Sequence, residues 1–492
     1  MQIQSLYIDD YKILKKFNIE FSKDISILVG INGSGKSTIL ETIVQIFSDA
    51  ILNRKSKFAF KLTYILRFEK SESQTDIIAV ELSSLNKGSE ITYKVEISGR
   101  VLEKKFDIEK EFGSIYKIYP SNIVIYYSGL AEIMKTICLP HDEMLSKQYR
   151  EGNIAAQRQF FYFEPALFDI ILISLLSFEY GNIPEFLRDK TKINGFRSIT
   201  IRLKKPDWAK QKLDKWWGAR GEVKDFLNFL NTIGTPLIIN ESNEQQKGRN
   251  GNVVMEAFQN EFLNITIIGQ EKLFEIREYF TEEKTLFKML NTLYIDGFWD
   301  KTTFNFVREN DDKSSFSLLS EGEQQSIIIK GLTELLTSEN TLFLFDEPDT
   351  YLHPLWQRNF IKEIITFSEN SYNISNHFLI TTHSPQLLSD ADAGKTEVKI
   401  MEDGDIVKIT PKYYGKDICT ILYELMGGVE KRNEIITKRL NELFNLIEDE
   451  NLEKAKQKYD ELSSLLGEDD SDIVQAKIQI DYLEEEQNET DN

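Results

Sequence analysis

Four short stretches of this 492-residue chain combine residue types whose spacing suits work on phosphate. The first is GINGSGKST, Gly30 to Thr38, which fits the pattern G-x-x-x-x-G-K-[ST]. It follows the apolar run ISILV and precedes STILETIVQIF, whose apolar spacing is helical, so the order is strand, glycine loop, helix. In that context the backbone of Gly30, Ile31, Asn32, Gly33, Ser34 and Gly35 can wrap phosphate oxygens while the helix start adds positive potential. Lys36 would neutralise the outer phosphates, Ser37 would hold Mg²⁺ and Thr38 closes the motif, which makes ATP with Mg²⁺ the expected ligand.

The second stretch, TLFLFDEP, is an apolar strand ending in two acids, and such strand ends are where open parallel sheets bind ligands. Asp346 would belong to the Mg²⁺ shell, and Glu347 is suited to position or deprotonate an attacking water. The third, HFLITTHSP, repeats the layout with His383 just past the strand, where it would sense phosphate. The fourth, SLLSEGEQQSIIIKGLTELL, sets Ser320 three residues before Glu323, a capping box that opens a long helix with free amides at its start. Each of the last three has an ordinary reading, as a polar strand end, a solvated histidine or a common helix cap. Their order along one chain with the glycine loop is what favours function.

Around these stretches the first 128 residues read as short strands, a loop and a helix. Residues 129–300 read as a mostly helical insertion, and 301–410 return to alternating helix and apolar strand as a parallel sheet requires. Beyond 411 the pattern is helical, with Ile435, Ile436, Leu440, Leu443, Phe444 and Ile447 on one face and Leu452, Ala455, Tyr459, Leu462 and Leu466 on another. A short third helix, DIVQAKIQIDYL, precedes a polar end expected to be disordered. The net charge of −20 is uneven, since residues 441–492 hold 17 acids against 4 lysines. The rest is only mildly acidic, which argues against strong non-specific binding of nucleic acid without excluding a local basic patch. Cys138 and Cys419 lie far from each other and from any ligand-like spacing, so no disulfide framework or zinc site is expected. The apolar run 160–178 is interrupted by Glu164, Pro165 and Asp169 and reads as a buried helix, and the opening MQIQSLYI lacks the features of a secretory signal. A cytoplasmic protein without a membrane span is the expectation.

The order of glycine loop, Ser320 helix, Asp346 strand and His383 strand resembles the ABC ATPases, and among them the soluble SMC-like and RecF-like heads. The resemblance implies an α/β fold, an ABC-type P-loop ATPase head with the helical insertion and a C-terminal helical extension. It implies that Ser320, Gly322 and Glu323 meet the γ-phosphate bound by a second copy, with Glu347 and His383 catalytic. The signature reads LSEGEQ, as in non-transporter members. The segment PDTYLHP puts His353 where many relatives carry an acid, and only a region, Tyr127 to Gly129, can be offered for the glutamine loop.

A narrower resemblance lies in LKKPDWAKQKLDKWWGARGEVKDFL and YGKDICTILYELMGGVEKRNEI, which are similar to the ATPase subunits of Septu-type and retron-associated anti-phage systems. It implies a slow regulatory ATPase that forms homodimers or larger oligomers and docks a separate HNH nuclease on its C-terminal helices. The stretch 202–225 also mixes eight basic residues with Trp208, Trp216 and Trp217, which suits DNA contact or, more blandly, an amphipathic helix with buried tryptophans. The runner-up function is an SMC-like or RecF-like repair ATPase acting on DNA without a nuclease. An OLD-type nuclease would need a Toprim pair, but Asp403 and Asp405 read as flanks of an Asp-Gly turn between two strands.

Overall fold

The run ISILV forms strand Ile25–Val29, every residue of which is buried, as a strand covered on both faces requires. In the computed structural model it lies inside a seven-stranded sheet. The order is Asp405–Ile406, Thr396–Glu402, Ile25–Val29, His377–Thr381, Thr341–Asp346, Asn122–Tyr127 and Phe160–Tyr162. All neighbours are parallel except the first pair. Register places Asp346 opposite both Thr381 and Tyr127, and Thr381 opposite Leu28. The carboxyl ends of these strands therefore finish level, beside the glycine loop. The structure describes residues 1–71, 74–129, 132–151, 158–209, 215–237, 262–308, 319–370, 375–408, 410–426 and 432–490.

Helix Lys36–Ile51 packs between this sheet and a six-stranded antiparallel sheet ordered Leu14–Glu20, Gln2–Tyr11, Phe60–Ser71, Gln74–Ser84, Thr92–Ile97 and Arg100–Leu102. Ile39, Leu40, Ile43, Val44 and Phe47 of the helix meet Ile3, Leu6, Leu62, Tyr64 and Val80 of the antiparallel sheet in one core. The helix that presents Lys36 and Ser37 is thus held by apolar burial on both sides.

Most of the described residues between 129 and 300 are helical, and among these helices lies a four-stranded antiparallel sheet that the sequence reading did not place, ordered Thr235–Leu237, Phe262–Ile268, Ile193–Lys204 and Trp299–Arg308. The reason is visible in Ile193–Lys204, where Ile199, Ile201 and Leu203 are buried at a period of two. The expected boundaries shift accordingly. Phe160–Tyr162 joins the head sheet from within the insertion, and Trp299–Arg308 belongs to the insertion's sheet although it crosses residue 300. The apolar run 160–178 is that edge strand followed by the buried helix Pro165–Leu176, with Pro165 in its first turn. Among the described residues no helix is long and apolar enough to cross a membrane.

Met1–Lys416 forms one unit and Asp417–Asn492 another, a few residues later than the expected boundary. In the second unit, helices Glu434–Glu448, Leu452–Leu466 and Ser471–Thr490 share a core of Leu440, Leu443, Ile447, Ala455, Leu462, Ile473, Ala476 and Ile480. The last helix runs to Thr490, beyond the point where disorder was expected.

The helix Glu321–Leu336 leans on Pro165–Leu176 so closely that a Cβ at Gly331 would lie 2.1 Å from a methyl of Ile171. Overpacking costs about 1–3 kcal/mol, which exceeds the gain of at most about 1 kcal/mol from replacing a helical glycine. Gly331→Ala is expected to lower the urea midpoint and Gly331→Val to lower it further, with an unchanged midpoint contradicting the close contact.

Candidate active site

The glycine loop leaves strand Ile25–Val29 with Ile31, Asn32 and Gly33 exposed and Ser34, Gly35 and Lys36 buried. Gly30 needs its missing side chain, because at φ +150° a Cβ would meet the Met401 carbonyl oxygen at 2.2 Å. The Lys36 ammonium donates to the carbonyls of Gly30 and Ile31 at 2.9 and 3.1 Å, and burial lowers its pKa. The Ser34 hydroxyl is buried without a hydrogen-bond partner, an uncommon state for an interior polar group and one that a phosphate oxygen would relieve.

Ser37 donates to both carboxylate oxygens of Asp346 at 2.9 and 3.0 Å, and Thr381 donates to Oδ1 at 2.5 Å. Burial pushes the Asp346 carboxyl above its usual range while these hydroxyls pull it back down. A hydroxyl and a carboxylate converging from two elements are the hard oxygen donors that suit Mg²⁺, so the residues present fit that ion. The next residue, Glu347, adopts φ +48°, and its amide is held by the Thr381 carbonyl at 3.1 Å and hydroxyl at 3.2 Å. This conformation turns the carboxylate toward His383, whose Nε2 lies 3.2 Å from Oε1. The hydrogen bond from His383 is the main reason that the Glu347 carboxyl is held below the ordinary glutamate range.

The capping box at Ser320 is formed. The Ser320 hydroxyl accepts from the Glu323 amide, and the Glu323 carboxylate accepts from the Ser320 amide at 2.7 Å. Ser320 is exposed, and Gly322 sits against the chain's own Tyr351 carbonyl, which a Cβ would approach at 3.0 Å. The loop residues, Asp346, Glu347 and His383 are therefore gathered at one sheet edge, whereas Ser320, Gly322 and Glu323 open a separate, outward-facing helix start. In the region offered for the glutamine loop, Tyr127 ends its strand and the Ser128 amide donates to the Asp346 carbonyl at 3.3 Å.

Several supporting residues escaped the sequence reading. Gln325 donates to the Pro348 carbonyl at 2.7 Å and accepts from the Tyr126 hydroxyl at 2.6 Å, which ties the Ser320 helix to the segment after Glu347. A buried glutamine on an apolar helix face was the available signal. Asp349 receives the Thr382 hydroxyl on both oxygens at 3.0 and 2.9 Å, and burial raises its pKa to about 6. The Asp403-Gly404 turn does join two strands, Thr396–Glu402 and Asp405–Ile406, and the Gly404 amide donates to the Ser34 carbonyl at 3.0 Å. Gly404 has φ +84°, and a Cβ there would lie 2.5 Å from the Ile13 carbonyl. Of the other histidines, His377 bonds the Ile3 amide, Ser26 and no phosphate-facing group, and burial drives its pKa to about 3. His353 begins helix Pro354–Asn370 by accepting from Leu355, Trp356 and Gln357 amides.

The basic and aromatic stretch does not form the expected amphipathic helix. Ile193–Lys204 is a strand, Lys215–Gly218 is a short 3₁₀ turn, and Lys210 and Lys212 lie outside the described residues. Trp216 and Trp217 are buried, and Trp208 donates to the Asp296 carbonyl while packing edge-on to Phe298. Trp216 and Trp217 are committed to the core and cannot stack on bases, while Trp208 is half-buried.

An arrangement in which every phosphate-directed group stands at the carboxyl end of a neighbouring parallel strand is that of a P-loop ATPase domain. Residues 1–388 match the profile described as the AAA ATPase domain, and the chain belongs to that family. The Retron Ec83 probable ATPase of Escherichia coli is 30% identical over 189 residues, 35% of this chain and 33% of that protein. The Septu protein PtuA of Bacillus thuringiensis is 30% identical over 134 residues, 25% and 32% of the two chains. The chain thus matches about a third of the length of each. The Retron Vc95 probable ATPase of Vibrio cholerae serotype O1 biovar El Tor is 23% identical over 446 residues, 86% of this chain and 78% of that protein.

Two outcomes follow from this geometry. A Cβ at Gly404 must displace the turn that holds Ser34, so Gly404→Val is expected to weaken ATP binding at least about ten-fold, close to 1.4 kcal/mol, in equilibrium titration. Unchanged affinity would remove the turn from the site. Asp349 has a folded pKa above that of an exposed aspartate, so its stabilising share is complete below about pH 4 and is lost as pH rises through about 6. Asp349→Asn should flatten the fall in melting temperature between those values, a term of up to about 3 kcal/mol.

Proposed function

We propose that this chain binds and slowly hydrolyses ATP as the regulatory subunit of an anti-phage defence complex, with two copies closing on each nucleotide. The observation that carries the chemistry is the meeting of Ser37, Asp346 and Thr381 beside the Glu347–His383 pair. In the reaction, Lys36 leaves the Gly30 and Ile31 carbonyls for the outer phosphates of ATP, and Ser34 gains its missing partner. Glu347, kept ionised by His383, orients a water against the γ-phosphorus and accepts its proton as the bond to the β-phosphate oxygen breaks. His383 keeps the Glu347 carboxylate aimed and is placed to register the γ-phosphate. Mg²⁺ held by Ser37 and Asp346 would supply charge neutralisation on the phosphates.

The exposed Ser320 would exchange its capping bonds to Glu323 for the γ-phosphate carried by a second copy at the same helix start, which makes a homodimer the smallest complete unit. The link from Gln325 to Pro348 would pass closure of that contact to Glu347. A separate HNH nuclease would dock on the C-terminal helices, where Ile435, Leu465, Ile478 and Tyr482 are exposed on an otherwise acidic surface. DNA is a candidate trigger.

Glu347→Gln is expected to cut turnover at least about 100-fold while leaving ATP-dependent dimers intact, and Ser320→Arg to prevent those dimers without loss of ATP binding. Lys36→Ala should abolish protection against phage, and Ile435→Asp with Ile478→Asp should release the nuclease from the purified complex. Full protection by Lys36→Ala, or an active complex that contains no nuclease, would overturn the reading; the second result points to a DNA-repair ATPase instead.

A further inference from the structure

A cavity of about 240 Å³ opens where the head sheet meets the inserted region, walled by Asn122, Phe161, helix Gly221–Ile233 and helix Glu283–Ile295. It is well separated from the glycine loop. Asn122 begins the strand whose other end, Tyr127, lies beside Asp346, and five steps at about 3.3 Å put the two ends about 17 Å apart.

The floor is a fixed cation. Arg158 is buried, grips Asp142 through Nε and Nη2 at 2.9 and 2.6 Å, and donates through Nη1 to Asn291 at 2.9 Å. A guanidinium has five N–H groups, so these three bonds hold it rigid and leave donors over. Its face lies 5.1 Å from the Phe161 ring. At the rim stand exposed Arg220 and Lys288, with Arg220 at the start of Gly221–Ile233, a thirteen-residue helix without a side-chain cap. Glu222 is the one acid among the lining residues, and Asp142 behind the floor offsets one cation, so the cavity remains net positive in a mildly acidic part of the chain. Phe161, Val223 and Met289 supply an apolar wall beside these charges.

We propose that this cavity binds a nucleoside monophosphate. Its phosphate dianion sits between Arg220, Lys288 and the amides of the uncapped helix start, and its planar base lies along the apolar wall of Val223 and Met289. The volume is of the order of small-ligand sites, and the mixture of charge and apolar surface matches that class better than a free anion. This site is independent of ATP hydrolysis.

The test is calorimetric titration of the full chain carrying Lys36→Ala, which silences the glycine loop, with AMP, GMP, CMP and UMP, and with inorganic phosphate and adenosine alone. At least one monophosphate should bind, phosphate and adenosine each at least ten-fold more weakly. Adding Arg220→Ala and Lys288→Ala should weaken binding at least ten-fold. Both residues are exposed, so the melting temperature should stay unchanged, and Lys288→Glu alone serves if the paired variant does not fold. Absence of binding by all four monophosphates, equal affinity for phosphate alone, or affinity unaffected by the rim substitutions would each overturn the proposal.

Discussion

The bond from the Ser37 hydroxyl to the Asp346 carboxylate is the constraint around which the molecule is organised. The two residues are 309 positions apart, and Asp346 is buried where an isolated carboxylate would be costly. Ser37 and Thr381 satisfy it from two other segments, so the carboxylate is tolerable only when the glycine loop and the strand His377–Thr381 are in place. The parallel register that sets Asp346 opposite Thr381 supplies this condition without any local sequence contact. Between Ser37 and Asp346 the chain leaves the sheet, returns for Asn122–Tyr127 and Phe160–Tyr162, and leaves again before Thr341–Asp346.

That intervening chain does more than fill a gap. Its strand Phe160–Tyr162 extends the head sheet, and its helix Pro165–Leu176 supports the Ser320 helix through the Gly331–Ile171 contact. Gln325 then connects the same helix to Pro348. The insertion, the exposed helix start and Pro348 beyond the two acids are therefore joined by packing and hydrogen bonds. A shift in one is transmitted to the others because interiors are dense and resist gradual deformation.

How much of this was legible in the sequence depended on how local each cause is. The glycine loop announces itself through spacing, and the Asp346 and His383 strands through apolar runs with a polar end; the structure places all three at one edge. The capping box of Ser320 and Glu323 is also local, and it is formed as the spacing indicated. The insertion's sheet was missed because Ile193–Lys204 finds its partners in Phe262–Ile268 and Trp299–Arg308, far along the chain, and its alternation alone lacks that pairing. The bond from Gly404 to Ser34 and the bond from Thr382 to Asp349 are likewise tertiary facts that no residue pattern encodes. Trp216 and Trp217 are buried as the blander reading had them, but in a short turn and not on an amphipathic helix, a difference that composition alone does not carry.

The positive φ of Glu347 sets fold against function at a single residue. A left-handed glutamate is held against its own preference at a cost of order 1 kcal/mol or more, and glycine would take the same turn without that penalty. Selection for a sturdier protein alone would erase the carboxylate here. Its presence means that the head gives up some thermal resilience to keep an acid pointed across the strand ends.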